Sequence, residues 1–229
     1  MKILALETST EYCSVALWLD GVVTEKIEQV GQRHSEVLMG MLDQLLKDAG
    51  VTLQQLDGIA FGEGPGSFTG IRIACGVTQG LALGASLPVV GISTLLAVAE
   101  ASGQDKVIAA LDARMAEVYF AVYQRQDDIW QALVAPCLCL PDGTPEIEGV
   151  GWHGAGSGFA AHAVPLQQRY AGQLAHVDAG CIPRAAAVAV LAVPVLAAGK
   201  GLDAAQALPV YLRDKVALKT SERLARQGG

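Results

Sequence analysis

The amino-acid sequence predicts an α/β protein built from two related halves, each a mixed sheet with helices packed on its faces. Three observations lead there. Over the first hundred residues, strand-like alternation and helical periodicity succeed one another in the order β-β-β-α-β-α-β-α. A meander leading into right-handed crossovers gives a mixed sheet covered by helices. The opening then recurs: setting Ala5 against Ala110, an offset of 105, aligns Leu6 with Leu111, Glu7 with Asp112, Ala16 with Ala121, Leu17 with Val122 and Trp18 with Tyr123. Finally, 229 residues with 52% apolar and 17% charged content exclude disorder and suffice for a sizeable core. The recurrence divides the chain into units 1–105 and 106–229.

Lys2–Glu7 (KILALE) and Cys13–Leu19 (CSVALWL) read as strands, and Asp20-Gly21 turns the chain into a third near Val22–Val30. Ser35 is placed to cap a helix running to Ala49, with apolar positions at Val37, Leu38, Met41, Leu42, Leu45 and Leu46, and Gly50 ends it. A short strand (Gly58–Phe61) leads through a glycine-rich loop (Gly62–Gly66) into a long helix from Ser67 to Ala85. Pro88–Ile92 reads as a strand, and Ser93 caps a helix through Ala101. In the second half, a strand near Ile129–Val134 completes the repeated meander. Three prolines in Pro136–Glu148 predict a loop where the first half has its amphipathic helix. Val150–His153 and Leu174–Val177 read as strands, and Pro183–Ala198 as an alanine-rich helix bent near Pro194. After Asp214 the sequence turns polar and is expected to fray.

A formal net charge of −7 gains nothing from phosphate counterion release, so a basic partner is expected to make the backbone contacts to any RNA. Cys13, Cys75, Cys137, Cys139 and Cys181 are odd in number, mostly among apolar neighbours, and the lone C-x-C is poor zinc spacing; structural thiols in a reducing compartment are expected. The run Ile3–Leu6 is cut short by Glu7, and the longest apolar run, Ala185 to Gly199, is too short to span a bilayer. A cytoplasmic chain without membrane contact is the expectation.

Three constellations are candidates for chemistry. Glu7 and Asp112, at equivalent strand ends of a duplicated fold, would face each other across a cleft and hold a magnesium ion or orient a water beside a phosphate. The alternative is two acids facing solvent. Gly64, Gly66 and Ser67 join a strand to a helix, where free N–H groups receive an anion; a tight packing turn is the alternative, and Glu63 beside the loop favours it. Gly76, Gly80 and Gly84 recur every four residues on the following helix, a smooth stripe against which another helix packs closely. With Leu83, and with Leu38, Met41, Leu42 and Leu45 of the earlier helix, it is the candidate partner interface; packing on the chain's own sheet is the alternative. His34, His153, His162 and His176 have neither i, i+4 spacing nor an HExxH pattern, no serine sits in a G-x-S-x-G elbow, and Gly154–Gly158 reads as a plain loop. No catalytic or metal-ligating set is legible.

Together these residues resemble the TsaB (YeaZ) family. The likeness rests on ILALETST with CSVALW, on GEGPGSFTGIRIACGVTQGLALG with PVVGISTL, on LDARMAEVYFAVY and on PVYLR; it is loosest between Pro136 and Ala207. The resemblance implies a duplicated actin-like (ASKHA, ribonuclease H-like) fold. It implies a part in making threonylcarbamoyladenosine beside the anticodon of tRNAs that read codons beginning with A. It further implies partnership with TsaD, the catalytic paralogue, and TsaE, an ATPase, and pairing through the first half's two helices, as a homodimer when alone. TsaD-type paralogues carry an HxxxH metal motif after the strand that follows the glycine-rich helix; here Gly91–Ala97 (GISTLLA) has no histidine. The expectation is a non-catalytic supporting subunit that meets tRNA through its complex, with ATP or ADP at a partner contact and no firmly bound cofactor. Rival expectations are a stand-alone actin-like phosphotransferase, a metallopeptidase, or a plain homodimeric scaffold.

Overall fold

Five strands of the first half form one sheet in the order β3-β2-β1-β4-β5, where β1 is Lys2–Glu7, β2 Tyr12–Leu19, β3 Val22–Gln29, β4 Gly58–Gly64 and β5 Val89–Ser93. The computed structural model describes residues 1–213. Strand β1 pairs antiparallel with β2 and parallel with β4, so it is central and buried on both faces. Alternation sends Leu4 and Leu6 to one face, where α1 (His34–Ala49) and α2 (Phe68–Ala85) pack, and Ile3 and Ala5 to the other. Helix α1 lays Leu38, Met41, Leu42 and Leu45 on that sheet, and burying each contributes about 1.5–3 kcal/mol. It begins two residues earlier than the serine suggests, with Arg33 at the cap. Gly50 ends it in the left-handed region (φ 63°), donating its N–H to Lys47.

The second half repeats the design strand for strand. β6 (Lys106–Arg114), β7 (Glu117–Gln126), β8 (Ile129–Cys139), β9 (Trp152–Ala155) and β10 (Leu174–Asp178) lie in the order β8-β7-β6-β9-β10. Two connecting helices exchange places. Helix α3 (Thr94–Ala101) leaves β5 and packs on β6 and β7, whereas α6 (Ala185–Ala197) leaves β10 and packs on β1 and β2. The first N–H groups of α6 are received by Ser14 Oγ (2.9 Å, from Ala185) and Glu25 Oε1 (2.9 Å, from Ala186), which anchors the crossover; Pro194 lies within the helix. Between β9 and β10 lie α4 (Gly158–Ala161) and α5 (Ala163–Arg169).

Two expectations are corrected by this topology. The uniform offset of 105 does not hold. Ala5 pairs with Ala16 beneath α6, and its counterpart beneath α3 is Ala109 paired with Ala121. The first strands therefore align at 104 and the second at 105, because the second hairpin is one residue longer, with a register shift between Asp112 and Arg114. A one-residue slip turns every side chain to the opposite face, so Asp112 is the counterpart of Thr8, not of Glu7. The division at 105/106 also fails for the end of the chain. Leu202 bridges Val89 at the edge of β5, Ala207 O accepts from Gln79 Nε2 (2.8 Å), and Val210 N donates to Glu63 O (2.7 Å). Residues 185–212 thus complete the first unit, while Arg213 reaches back to Glu117 (2.6 Å) and Ala113 O (3.0 Å) of the second.

The expected loop 136–148 starts later than its prolines suggest. Strand β8 runs on to Cys139 with Pro136 inside it, at a sheet edge and opposite a break in the register between Phe120 and Val122. An edge strand at a bulge loses no ladder bond to proline. A 3-10 turn, Pro141–Gly143, then replaces the missing helix. Among the described residues no helix is long and apolar enough to cross a membrane. The polar segment from Asp214 onward lies outside the described residues.

Candidate functional site

Helix α2 carries the feature that the fold leaves unexplained. Ser67 caps it, its Oγ accepting from Gly70 N. Ile71, Ala74, Cys75, Thr78 and Ala82 turn inward, so Arg72, Gly76, Gly80, Leu83 and Gly84 lie on the outside. A β-carbon built on Gly76, Gly80 or Gly84 meets nothing within 4 Å, and Leu83 is 77% exposed. Each glycine costs a helix interior about 1 kcal/mol relative to alanine. The chain's own sheet and α1 require none of the three, so packing within the chain does not account for the stripe.

The proposed contact residues on α1 are a correction. Leu38, Met41, Leu42 and Leu45 are buried in the chain's own core and unavailable to a partner. The helix has a single apolar stripe, and the first sheet occupies it. Its outward face instead presents Met39 and Gly40, which fall outside the apolar positions read along the helix.

The glycine loop is closed by its own neighbours. A β-carbon on Gly66 would come within 2.6 Å of Ser9, and one on Gly70 would overlap the Thr8 carbonyl oxygen. Ser67 N–H already donates to Ser9 O (2.7 Å), and Thr8 Oγ1 donates to Gly70 O (2.7 Å). Gly64 is held at φ 113° with Val210 O 2.7 Å from where a β-carbon would sit. These glycines allow the turn Thr8–Ser9 to lie against the start of α2. Gly64, Gly66 and Ser67 do not fit a phosphate cradle. Arg72, one turn on, lies 3.6 Å over the Phe68 ring and donates to Tyr211 Oη (2.6 Å), tying the returning C-terminal segment to the helix.

The two acids have different surroundings, as the face reversal requires. Glu7 is 1% exposed, with Oε1 accepting from Ser9 N (2.6 Å) and Oε2 unpartnered against the backbone of Gly62. Burial pushes its carboxyl up, outweighing the hydrogen bonds from Ser9 that favour the anion. Asp112 accepts from Arg114 N (2.9 Å), pairs with Arg114 Nη1 (3.0 Å) and has His162 Nε2 at 3.6 Å. No hydrogen bond or ion pair among the described residues joins Glu7 to Asp112, and no group of three or more His, Cys, Asp or Glu side chains is placed to hold a metal. His162 near Asp112 escaped the sequence reading, since fifty residues separate them without a pattern.

Glu7 makes a pH prediction. A carboxyl whose folded-state pKa is raised holds a proton above its ordinary 4.5, where the unfolded chain has released it. The native state then binds more protons, and stability falls as pH rises from about 4.5. Glu7→Gln keeps the bond from Ser9 and removes the charge, so urea midpoints should show a flatter pH profile and a variant at least as stable as the parent at pH 7. A parent profile that rises through this range, with Glu7→Gln less stable at pH 7, contradicts the assignment.

Comparison with known proteins converges on one family. The family model described as TsaD, tRNA N6-adenosine threonylcarbamoyltransferase, matches residues 19–220. The Escherichia coli tRNA threonylcarbamoyladenosine biosynthesis protein TsaB is 39% identical over 96% of this chain and 97% of its own length. The chain belongs to the TsaB family. The Haemophilus influenzae TsaB is 36% identical, with 96% of each chain covered. The solved structure of YeaZ from Pseudomonas aeruginosa superposes with a TM-score of 0.85 at 40% identity, covering 92% of this chain and 99% of that one. The duplicated sheets and exchanged helices are therefore the actin-like fold that the resemblance implied. In this TsaB chain the segment Gly91–Ala97 forms the end of β5 and the start of α3, with Ile92, Thr94, Leu95 and Ala97 buried in packing.

Proposed function

We propose that this chain is a non-catalytic supporting subunit of the machinery that transfers threonylcarbamoyl to N6 of the adenosine beside the anticodon of tRNA. Threonylcarbamoyladenosine biosynthesis is the role that the TsaB name carries. The subunit reading rests chiefly on one observation, the open glycine stripe of α2. A helix with bare backbone on its outer face lets a second helix approach closely, and small residues there favour close packing. The occupant on this reading is a TsaD-like catalytic relative, or a second copy of the chain when it is alone. A TsaE-like ATPase completes the set, and any ATP or ADP belongs to a partner contact, not to the closed loop at Gly64–Ser67.

Several features support a partner role over independent catalysis. The buried Glu7 and the ion-paired Asp112 share no hydrogen bond or ion pair among the described residues, and the region after β5 is packed core without a histidine. A net charge of −7 suits an RNA reached through a more basic partner. Docking would stabilise whichever conformation of the relative it binds more tightly, raising that state's population by mass action.

Reconstitution tests this. tRNA, the catalytic relative and the ATPase, supplied with the activated threonylcarbamoyl donor, should modify tRNA at least tenfold more slowly without this chain than with it. Equal rates in its absence overturn the proposal. ATP turnover by the isolated chain that collapses on replacing Glu7 or Asp112 would instead favour a phosphotransferase.

A further inference from the structure

At the open edge of the second sheet, a β-bulge brings two histidines face to face. Leu174 of β10 pairs with Trp152 of β9, but the residue opposite His153 is His176, so Ala175 is left out of the ladder. Without that extra residue Ala175 would oppose His153, and His176 would oppose Gly154. The bulge lets Leu174 and Val177, three residues apart, both pack into the core beside Trp152. It thereby turns His176 to the opposite face, the one that His153 occupies. Bulges at sheet edges commonly re-aim a side chain in this manner.

The imidazole rings lie with centroids 4.9 Å apart and planes inclined by 41°. Two imidazoles on one zinc ion have Zn–N bonds of about 2.0–2.1 Å, and with ~1.2 Å from ring nitrogen to ring centre their centroids fall roughly 4.5–5.4 Å apart as the N–Zn–N angle opens from about 90° to the tetrahedral value. The observed spacing lies inside that range. Burial, and secondarily the neighbouring His176, holds His153 below the ordinary histidine range, while Asp178 opposes the shift. His176 is exposed, His153 half-buried, and β10 is an edge strand, so the pair is open to solvent.

We propose that His153 and His176 form a two-imidazole site for a borderline divalent transition-metal ion such as Zn²⁺, with water filling the remaining positions. Imidazole nitrogen suits zinc, copper and nickel, whereas magnesium and calcium prefer oxygen. Asp178 adds negative charge nearby, its Oδ1 accepting from Gly180 N (3.0 Å), and the proposed ligands are the two histidine rings. The site is independent of the assembly role proposed above.

The test is a zinc titration of the full chain, free of any affinity tag, against a chromogenic chelator at pH 7.5. Separate variants carry His153→Gln, His176→Gln and the double change Cys137→Ser/Cys139→Ser. The parent and the cysteine variant should bind one zinc ion per chain, and either histidine variant should bind at least tenfold more weakly. His176 is exposed, so the His176→Gln protein should keep the parent's thermal midpoint without zinc. Histidine variants that bind like the parent, binding lost only in the cysteine variant, or no binding by the parent at 100-micromolar-order zinc (about 10⁻⁴ M, against the affinities of dedicated sites) would each overturn the proposal.

Discussion

Gly70→Ala should destabilise the isolated chain by about 3 kcal/mol, at the upper end of what overpacking a core costs. The added methyl would overlap the carbonyl oxygen of Thr8, which is backbone and cannot rotate aside. Thr8 is held in place, because its hydroxyl donates to the carbonyl of Gly70 itself (2.7 Å) and its neighbour Ser9 accepts from Ser67 N (2.7 Å). Relief would require moving α2 off the end of β1, which also disturbs the C-terminal segment bound to Gln79 and Arg72. Gly76→Ala is the internal control. It meets no atom within 4 Å, so it should raise stability by up to ~1 kcal/mol through helix propensity alone. Urea denaturation of both variants reads the two signs. A Gly70→Ala chain within about 0.5 kcal/mol of the parent, the scatter of ordinary surface changes, would mean that the turn Thr8–Ser9 is not clamped as described.

Gly80→Trp separates folding from assembly. The indole enters open space on the outer face of α2, so the isolated chain should remain as stable as the parent or become slightly more so. A helix docked against that backbone would be displaced. Affinity for the TsaD-like relative should therefore fall at least a hundredfold, which corresponds to about 2.7 kcal/mol. tRNA modification by the reconstituted set should fall in parallel at subunit concentrations below the weakened Kd. Calorimetric titration gives the affinity, and the thermal midpoint of the free variant confirms that folding is unaffected. Undiminished affinity in a folded Gly80→Trp chain would move the contact elsewhere.

The fold was legible because its determinants are local. KILALE and CSVALWL alternate, the Asp20-Gly21 turn follows, and Gly50 and Ser67 mark helix ends that the structure keeps. What escaped notice depends on long-range partners. Nothing in Ala185–Ala197 says that it will return to β1, because a helix apolar on nearly all sides has no preferred face to read. The repeat was recognised one residue out of step, since the letters favour offset 105, matching Ala5 with Ala110 and Leu6 with Leu111, and only the faces under α3 and α6 show that Ala109 is the counterpart of Ala5.

The site divides along the same line. Gly76, Gly80 and Leu83 were singled out by periodicity, and their exposure follows from which residues of α2 the sheet claims. Leu38, Met41, Leu42 and Leu45 were misread because an apolar stripe looks alike whether it meets the chain's own sheet or another molecule. The bulge that opposes His176 to His153 is invisible in sequence, since it appears only once Leu174 and Val177 are both drawn to the core.

A thiol placed at the exposed position 83 reports most directly on whether the outer face of α2 meets a partner. With Cys137 and Cys139 changed to serine, Leu83→Cys should be alkylated rapidly in the free chain, and at least tenfold more slowly once the TsaD-like relative is present at saturation. If the complex forms and the thiol at position 83 reacts at an unchanged rate, the glycine face is not where the two proteins join.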